Sequence, residues 1–180
     1  MDIDRERMDD SSAYVGRRES GKPDAWTELA GSAGSQRLRE VRELAPPAEV
    51  ADALGLPEGG LAVVRRRMML LAERPVELTD SYYPSSFAKG TPLAETSKIP
   101  GGSPHALADL GFVPFESLED VSVRPATEAE AELLALDAGA PVLVVFRIVL
   151  SAEGNPYEVS IMTMIPEGRH LRYRVRVERT

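Results

Sequence analysis

The sequence predicts an α+β domain: one antiparallel sheet with helices packed on it and a pseudo-twofold internal repeat. Three observations carry that reading. Apolar runs of β type recur at Leu61–Ala72, Val76–Tyr83, Val142–Ser151 and Tyr157–Ile165. Short helix-forming stretches precede two of these runs, and one of them has Thr127 and Glu130 in capping-box spacing. The order proline, short helix, glycine, long β run, polar turn, second β run then occurs twice, from Pro47 to Pro84 and from Pro125 to Pro166. Each such unit alone leaves a sheet face bare, and two of them bury it by joining into one sheet.

Taken in order, residues 1–34 read as a tail or interdomain linker rich in Asp, Arg, Ser and Gly. Trp26 and Leu29 are its apolar anchors, placed for a short docked turn over Asp24–Ala30. The domain proper spans 35–180. Arg37–Leu44 alternates as an edge strand. Pro47–Leu54 is a helix started by its proline and ended by Gly55, Pro57, Gly59 and Gly60. Glu73-Arg74-Pro75 joins the first two long runs as a hairpin turn. Lys89–Gly102 is loop, and Ser103–Leu110 is a short helix with Ser103 as N-cap and Gly111 as its stop. Phe115–Val123 is a strand, Thr127–Leu136 a helix, Glu153-Gly154-Asn155-Pro156 a turn, and Leu171–Val177 the last strand.

Composition narrows the function. At 180 residues, 43% hydrophobic and 28% charged, the chain supports one ordinary core. Nothing approaches the roughly eighteen apolar residues of a membrane span. The charged start, Met1–Asp10, has no secretory h-region, so the cytoplasm is the expected compartment. The absence of cysteine excludes disulfides, thiolate zinc sites and a cysteine nucleophile. A net charge of −8 argues against DNA binding by this chain alone, because Arg65-Arg66-Arg67, its one basic cluster, sits inside an apolar run.

The repeat also sorts side chains. Shifted by about eighty positions, Leu54 and Leu56 fall on Leu134 and Leu136, Gly59 on Gly139 and Arg67 on Arg147. One extra turn residue brings Pro75 onto Pro156 and Glu77 onto Glu158. By strand alternation Val63, Arg65, Arg67 and Met69 share a face, matched by Leu143, Val145, Arg147 and Val149. The return strands present Glu77, Thr79, Ser81, Tyr83 and Glu158, Ser160, Met162, Met164. Equivalent arginines and glutamates from two halves suit a polar pocket in which arginines clamp an anion and glutamates accept protons from hydroxyl or amine groups. The same spacing suits cross-strand salt bridges on a solvated sheet face. The loop carrying Gly101, Gly102 and Ser103 runs into a helix start, where free N–H groups hold an anion or merely close a turn. Ser103, Ser151 and Ser160 lack a nucleophile-elbow context. His105 and His170 have no ligand-spaced partners. No catalytic residue, metal or cofactor is expected.

Leu54-Gly55-Leu56 through Gly60, the run Val63–Arg67, Arg74–Leu78, Tyr82-Tyr83-Pro84 and Gly139–Val144 resemble the UTRA domain over about Gln36–Val177. This is the ligand-sensing domain of the HutC branch of GntR transcription regulators. Tyr14–Arg18 followed by Gly21–Trp26 resembles the interdomain linker of actinobacterial members. The resemblance implies a chorismate-lyase-like fold, an anionic small-molecule effector, a homodimer, and DNA contact only through a winged helix-turn-helix not contained in this chain. In the family's sugar-phosphate sensors, two arginines two residues apart grip the phosphate. Here Arg67 holds the first position and Met69 the second. Thr79 replaces a sugar-binding glutamate, Glu158 keeps a later one, and Met164 stands at an aromatic position. The methionines suit a smaller or more apolar acid. The expected function is an effector-sensing, dimerising module of a repressor with no step of chemistry. Two other readings stay open. One is a chorismate-lyase-type enzyme using Arg67, Arg147 and Glu158 as clamp and acid. The other is a stand-alone dimerisation partner of full-length regulators.

Overall fold

The computed structural model describes residues 7–9, 26 and 30–171. Its strands are β1 Arg7–Asp9, β2 Gly34–Leu44, β3 Ala62–Leu71, β4 Arg74–Pro84, β5 Glu116–Pro125, β6 Pro141–Leu150, β7 Pro156–Met164 and β8 Arg169–Leu171. Its α-helices are α1 Ala48–Ala53, α2 Ser85–Ala88, α3 Ser103–Asp109 and α4 Glu128–Leu134. The main sheet runs β2-β3-β4-β7-β6-β5, with every neighbouring pair antiparallel, and β1 pairs parallel with β8 as a small ribbon. The linker-like residues 14–25, Leu29 and the continuation of the last strand to Val177 lie outside the described residues.

The strand order is that of a two-unit repeat. β2-β3-β4 and β5-β6-β7 are joined through β4 and β7, where Thr79 faces Met162, Asp80 faces Ile161 and Ser81 faces Ser160. With Glu77 equivalent to Glu158, Asp80 is equivalent to Ile161. The pseudo-twofold axis therefore passes through the Asp80·Ile161 pair, and the two flanking pairs exchange with each other.

Both sheet faces are covered, by different means. On one, α1 lays Val50 and Leu54 on Ala62, Val64, Tyr82 and Val159. Its counterpart α4 lays Ala131 and Leu134 on Leu78, Val142 and Val144. α4 starts with the expected capping box, in which Thr127 and Glu130 bond each other's backbone N–H groups. On the other face the cover comes from within one unit only. The segment after β4 puts Ala88, Leu93, Ile99, Ala106 and Leu107 over Val63, Tyr83, Val149 and Tyr157. Helices thus pack on both faces, not on one.

Three local expectations are corrected. The β3–β4 turn is the pair Ala72-Glu73, both at positive φ, not Glu73–Pro75. Pro75 is admitted into β4 because it lies beyond the β4–β7 ladder, which begins at Glu77, and beside a bulge against β3. The stretch expected to be loop from Lys89 holds a 3₁₀ turn, Pro92–Ala94, and α2 precedes it. The cap of α3 is Gly102 at φ 79°, and Ser103 is already inside the helix.

Candidate functional site

A narrow cavity of about 60 Å³ lies between the sheet and the loop leading into α3. Alternation along four strands aims the side chains at it: Arg67 and Met69 from β3, Glu77, Thr79 and Tyr83 from β4, Arg147 from β6, and Glu158, Ser160 and Met162 from β7. Gly101, Gly102 and Ser103 form its far wall. A Cβ on Gly101, at φ 77°, would meet His105 at 2.9 Å, so this approach of loop to helix requires glycine. The residues expected from the sequence therefore converge here, except for three. Arg65 is buried, and its guanidinium donates to the carbonyls of Pro92, Leu93, Glu95 and Ser97 at 2.7–3.3 Å, pinning the covering loop. Ser81 lies in the floor beneath the cavity, and Met164 packs against Val145 and Met162.

Sequence reasoning missed Gln36, Pro104 and Trp26 as lining residues. Trp26 was expected as an anchor and is one: it is buried, its Nε1 donates to the Leu70 carbonyl at 3.1 Å, and Arg169 stacks over its ring. Also missed were the partners of two cavity groups. Arg147 Nε donates to Glu119 at 2.6 Å, and Arg169 reaches Glu77 at 2.8 Å; all four side chains are less than 10% exposed. Glu119 sits directly opposite Arg147 in the β5–β6 register, a pairing that needs the strand alignment to be seen. Glu77 is further engaged by the Thr79 hydroxyl at 2.8 Å.

Among the described residues the equivalent groups, Arg67 and Glu158, have no such ion pairs. Arg67 donates to Ser81 Oγ at 3.0 Å, Ser81 and Ser160 share a hydrogen bond of 2.8 Å, and Ser160 donates to Glu158 at 2.9 Å. Since the Ser160 proton goes to Glu158, Ser81 is the donor in the middle bond. The chain then runs one way, from cation to acid, across the joint of the two halves. Arg67 Nε and the Tyr83 hydroxyl are buried without a well-formed hydrogen bond, the Tyr83 oxygen lying near the Ser103 and Ser81 hydroxyls but out of good geometry with them. Burial pushes the Tyr83 phenol up to about 12, aided by the charge of Glu158 and opposed by Arg67, so it stays a neutral O–H. Glu158 is half-buried and lines the cavity, and burial pushes its carboxyl up against the pull of Ser160, Arg147 and Arg67.

A larger groove, about 790 Å³, opens on the opposite face between α1 and α4. Two of its arginines are already paired, while Arg39, Glu49 and Asp120 also line it as exposed side chains. Arg66 binds Glu40 at 2.7 Å and Asp80 at 3.1 Å, and Arg124 grips both oxygens of Glu130 at 2.7 Å. Among the described residues two buried donors without good hydrogen bonds, Arg67 Nε and Tyr83 Oη, line the smaller cavity and none lines the groove, which makes the cavity the better ligand site despite its size.

Residues 30–167 match the UTRA domain family. The chain is 29% identical over 130 residues to an HTH-type transcriptional regulator of Streptomyces coelicolor, covering 71% of this chain and 48% of that protein. It thus spans about half the length of the curated relative it matches. A solved structure described as the ligand-binding domain of a GntR-family transcriptional regulator from Bordetella bronchiseptica superposes with a TM-score of 0.70 at 26% identity, covering 88% of this chain and 92% of that one. The effector domain of PhnF from Mycobacterium smegmatis shares the fold, with a TM-score of 0.73 at 17% identity over 84% and 94% of the two chains.

Proposed function

Because the chain belongs to the UTRA domain family, we propose that it is the effector-sensing domain of a GntR-type transcription regulator. It binds a small anionic molecule in the cavity between β3, β4, β6 and β7 and passes the binding event to a DNA-binding domain. The observation that carries this is the pair of buried donors without good hydrogen bonds, Arg67 Nε and Tyr83 Oη, in one cavity. The protein acts in the cytoplasm; among the described residues no helix is long and apolar enough to cross a membrane. Residues 1–34 serve as the lead-in from the DNA-binding domain, with Trp26 fastening their end to β3.

The domain works as a homodimer joined along β5. This strand is an edge of the sheet, and it and its lead-in expose Val113, Phe115, Leu118, Val121 and Val123 at 42–74%. An open apolar edge of this kind calls for a partner strand. Val121→Lys with Val123→Lys should give a monomer by light scattering where the parent chain gives a dimer.

The sensor reading is tested by thermal-shift screening of small acids and sugar phosphates. Arg67→Ala should weaken the best binder by about 2 kcal/mol or more. Arg66→Ala, on the opposite face, should change it little. Equal loss in both variants would put the ligand elsewhere. Regulators as relatives do not favour the chorismate-lyase reading, and pyruvate release from chorismate would restore it.

A further inference from the structure

We propose that the effector is a short monocarboxylate, a molecule with a single negative charge and a small apolar body, and that the cavity rejects phosphate esters. This rests on the sensor reading above and adds the chemical class.

The cavity is walled by Arg67, Arg147, Glu77 and Glu158, with Arg169 and Glu119 just behind. Two arginines and two glutamates form close, buried ion pairs, Arg147 with Glu119 and Arg169 with Glu77. Each pair is internally neutral, and each of these guanidiniums already has one edge given to a buried carboxylate, which offsets its pull on an incoming anion. Arg65 is held by four loop carbonyls. Lys98 belongs to an adjoining small pocket and is exposed to solvent. Among the described residues Arg67 is the cavity arginine without an ion pair, and facing it is the carboxyl of Glu158.

A dianion would bring two charges to a single guanidinium that has no ion pair of its own, at a site whose other arginines already face carboxylates. A monoanion meets Arg67 on equal terms. The two donors without good hydrogen bonds, Arg67 Nε and Tyr83 Oη, both line the cavity, and a carboxylate has two oxygens to receive them. Glu158, held toward its neutral form by burial, adds no opposing charge once it carries a proton. The remaining lining is apolar: Met69 and Met162 are both at least nine-tenths buried, and Trp26 closes one side. About 60 Å³ of free space admits a short chain.

The test uses the full 180-residue chain and three matched series with straight chains of two to six carbons: carboxylates, their primary amides and the alkyl phosphates. Binding is followed by thermal shift and isothermal calorimetry. Carboxylates should bind about tenfold or more tighter than amides and alkyl phosphates of equal length. Arg67→Ala and Tyr83→Phe should each erode the preference for carboxylate over amide, and Arg66→Ala should not. Tighter binding of the alkyl phosphates, lost in Arg67→Ala, would overturn the monocarboxylate class while leaving the sensor reading intact. Equal affinity for acid and amide would overturn the charge argument in the same way. No binding by any series would also overturn the class, and a sugar phosphate found by the wider screen would then carry the sensor reading alone. Binding that survives Arg67→Ala unchanged would overturn both.

Discussion

The two halves of the sheet are built alike and finished differently. Each presents an arginine from its first long strand and a glutamate from its return strand. In one half the arginine is closed off: Arg147 is tied to Glu119 at 2.6 Å. In the other, the glutamate is closed off: Glu77 is tied to Arg169 at 2.8 Å. What stays available is one arginine from the first unit and one glutamate from the second, linked through Ser81 and Ser160. A repeat supplies a symmetric frame, and third-strand and C-terminal partners then break it. Structural and ligand-facing roles are divided between residues that the sequence makes equivalent.

The comparison is broken most severely by Glu119→Ala. It removes the buried ion pair between Arg147 and Glu119, and denaturant unfolding should show a loss of up to about 3–5 kcal/mol. Arg67→Ala, at the equivalent position, should cost the fold about 1 kcal/mol or less, since Arg67 has no ion pair to lose. Similar losses in the two variants would mean that the division of roles is not real. Thr127→Ala should cost about 1 kcal/mol by removing the α4 cap, with no counterpart in α1, whose N-cap Pro47 makes no side-chain bond.

The smallest effects are in pH dependence, and they have opposite signs. Glu130, bonded to Arg124 and to the Thr127 N–H, is held down at about 2. Its stabilising contribution is present above the ordinary carboxylate range and is lost as pH falls toward 2. Glu158 is shifted upward by burial. Its contribution is present at low pH and is lost as pH rises through its raised value. Glu158→Gln should therefore flatten the neutral-side slope of stability against pH, and Glu130→Gln should flatten the acid side. Carboxylate binding should weaken with rising pH in the parent and lose that dependence in Glu158→Gln.

Much of this was legible in the sequence. Period-two runs located β3, β4, β6 and β7, the capping box located α4, and the repeat aligned Arg67 with Arg147 and Glu77 with Glu158. Alternation gives the face of a side chain but not its partner. Arg65 and Arg67 share a face, yet Arg65 reaches the carbonyls of residues 92–97 while Arg67 reaches the cavity. That distinction depends on how the segment after β4 folds back. This segment read as loop because its helices have only three or four residues in α2 and the 3₁₀ turn, too few to show a period. The tight turn at Ala72-Glu73 was missed because neither residue is the glycine or asparagine that positive φ normally selects.

The pair on the pseudo-twofold axis has one more consequence. Any position on a symmetry axis must be its own mate. If two identical half-chains assembled around this axis, the residue there would face a copy of itself. Here an acid faces an isoleucine: Asp80, whose carboxyl burial drives upward and Arg66 steadies, lies opposite Ile161. Asp80 against a second Asp80 would set two carboxylates side by side, whereas Ile161 against itself is an apolar pair in a half that carries Phe146 where the first has Arg66. The first half therefore cannot be duplicated without setting like charges at the centre, and covalent fusion of two diverged units is what lets an unlike pair occupy it.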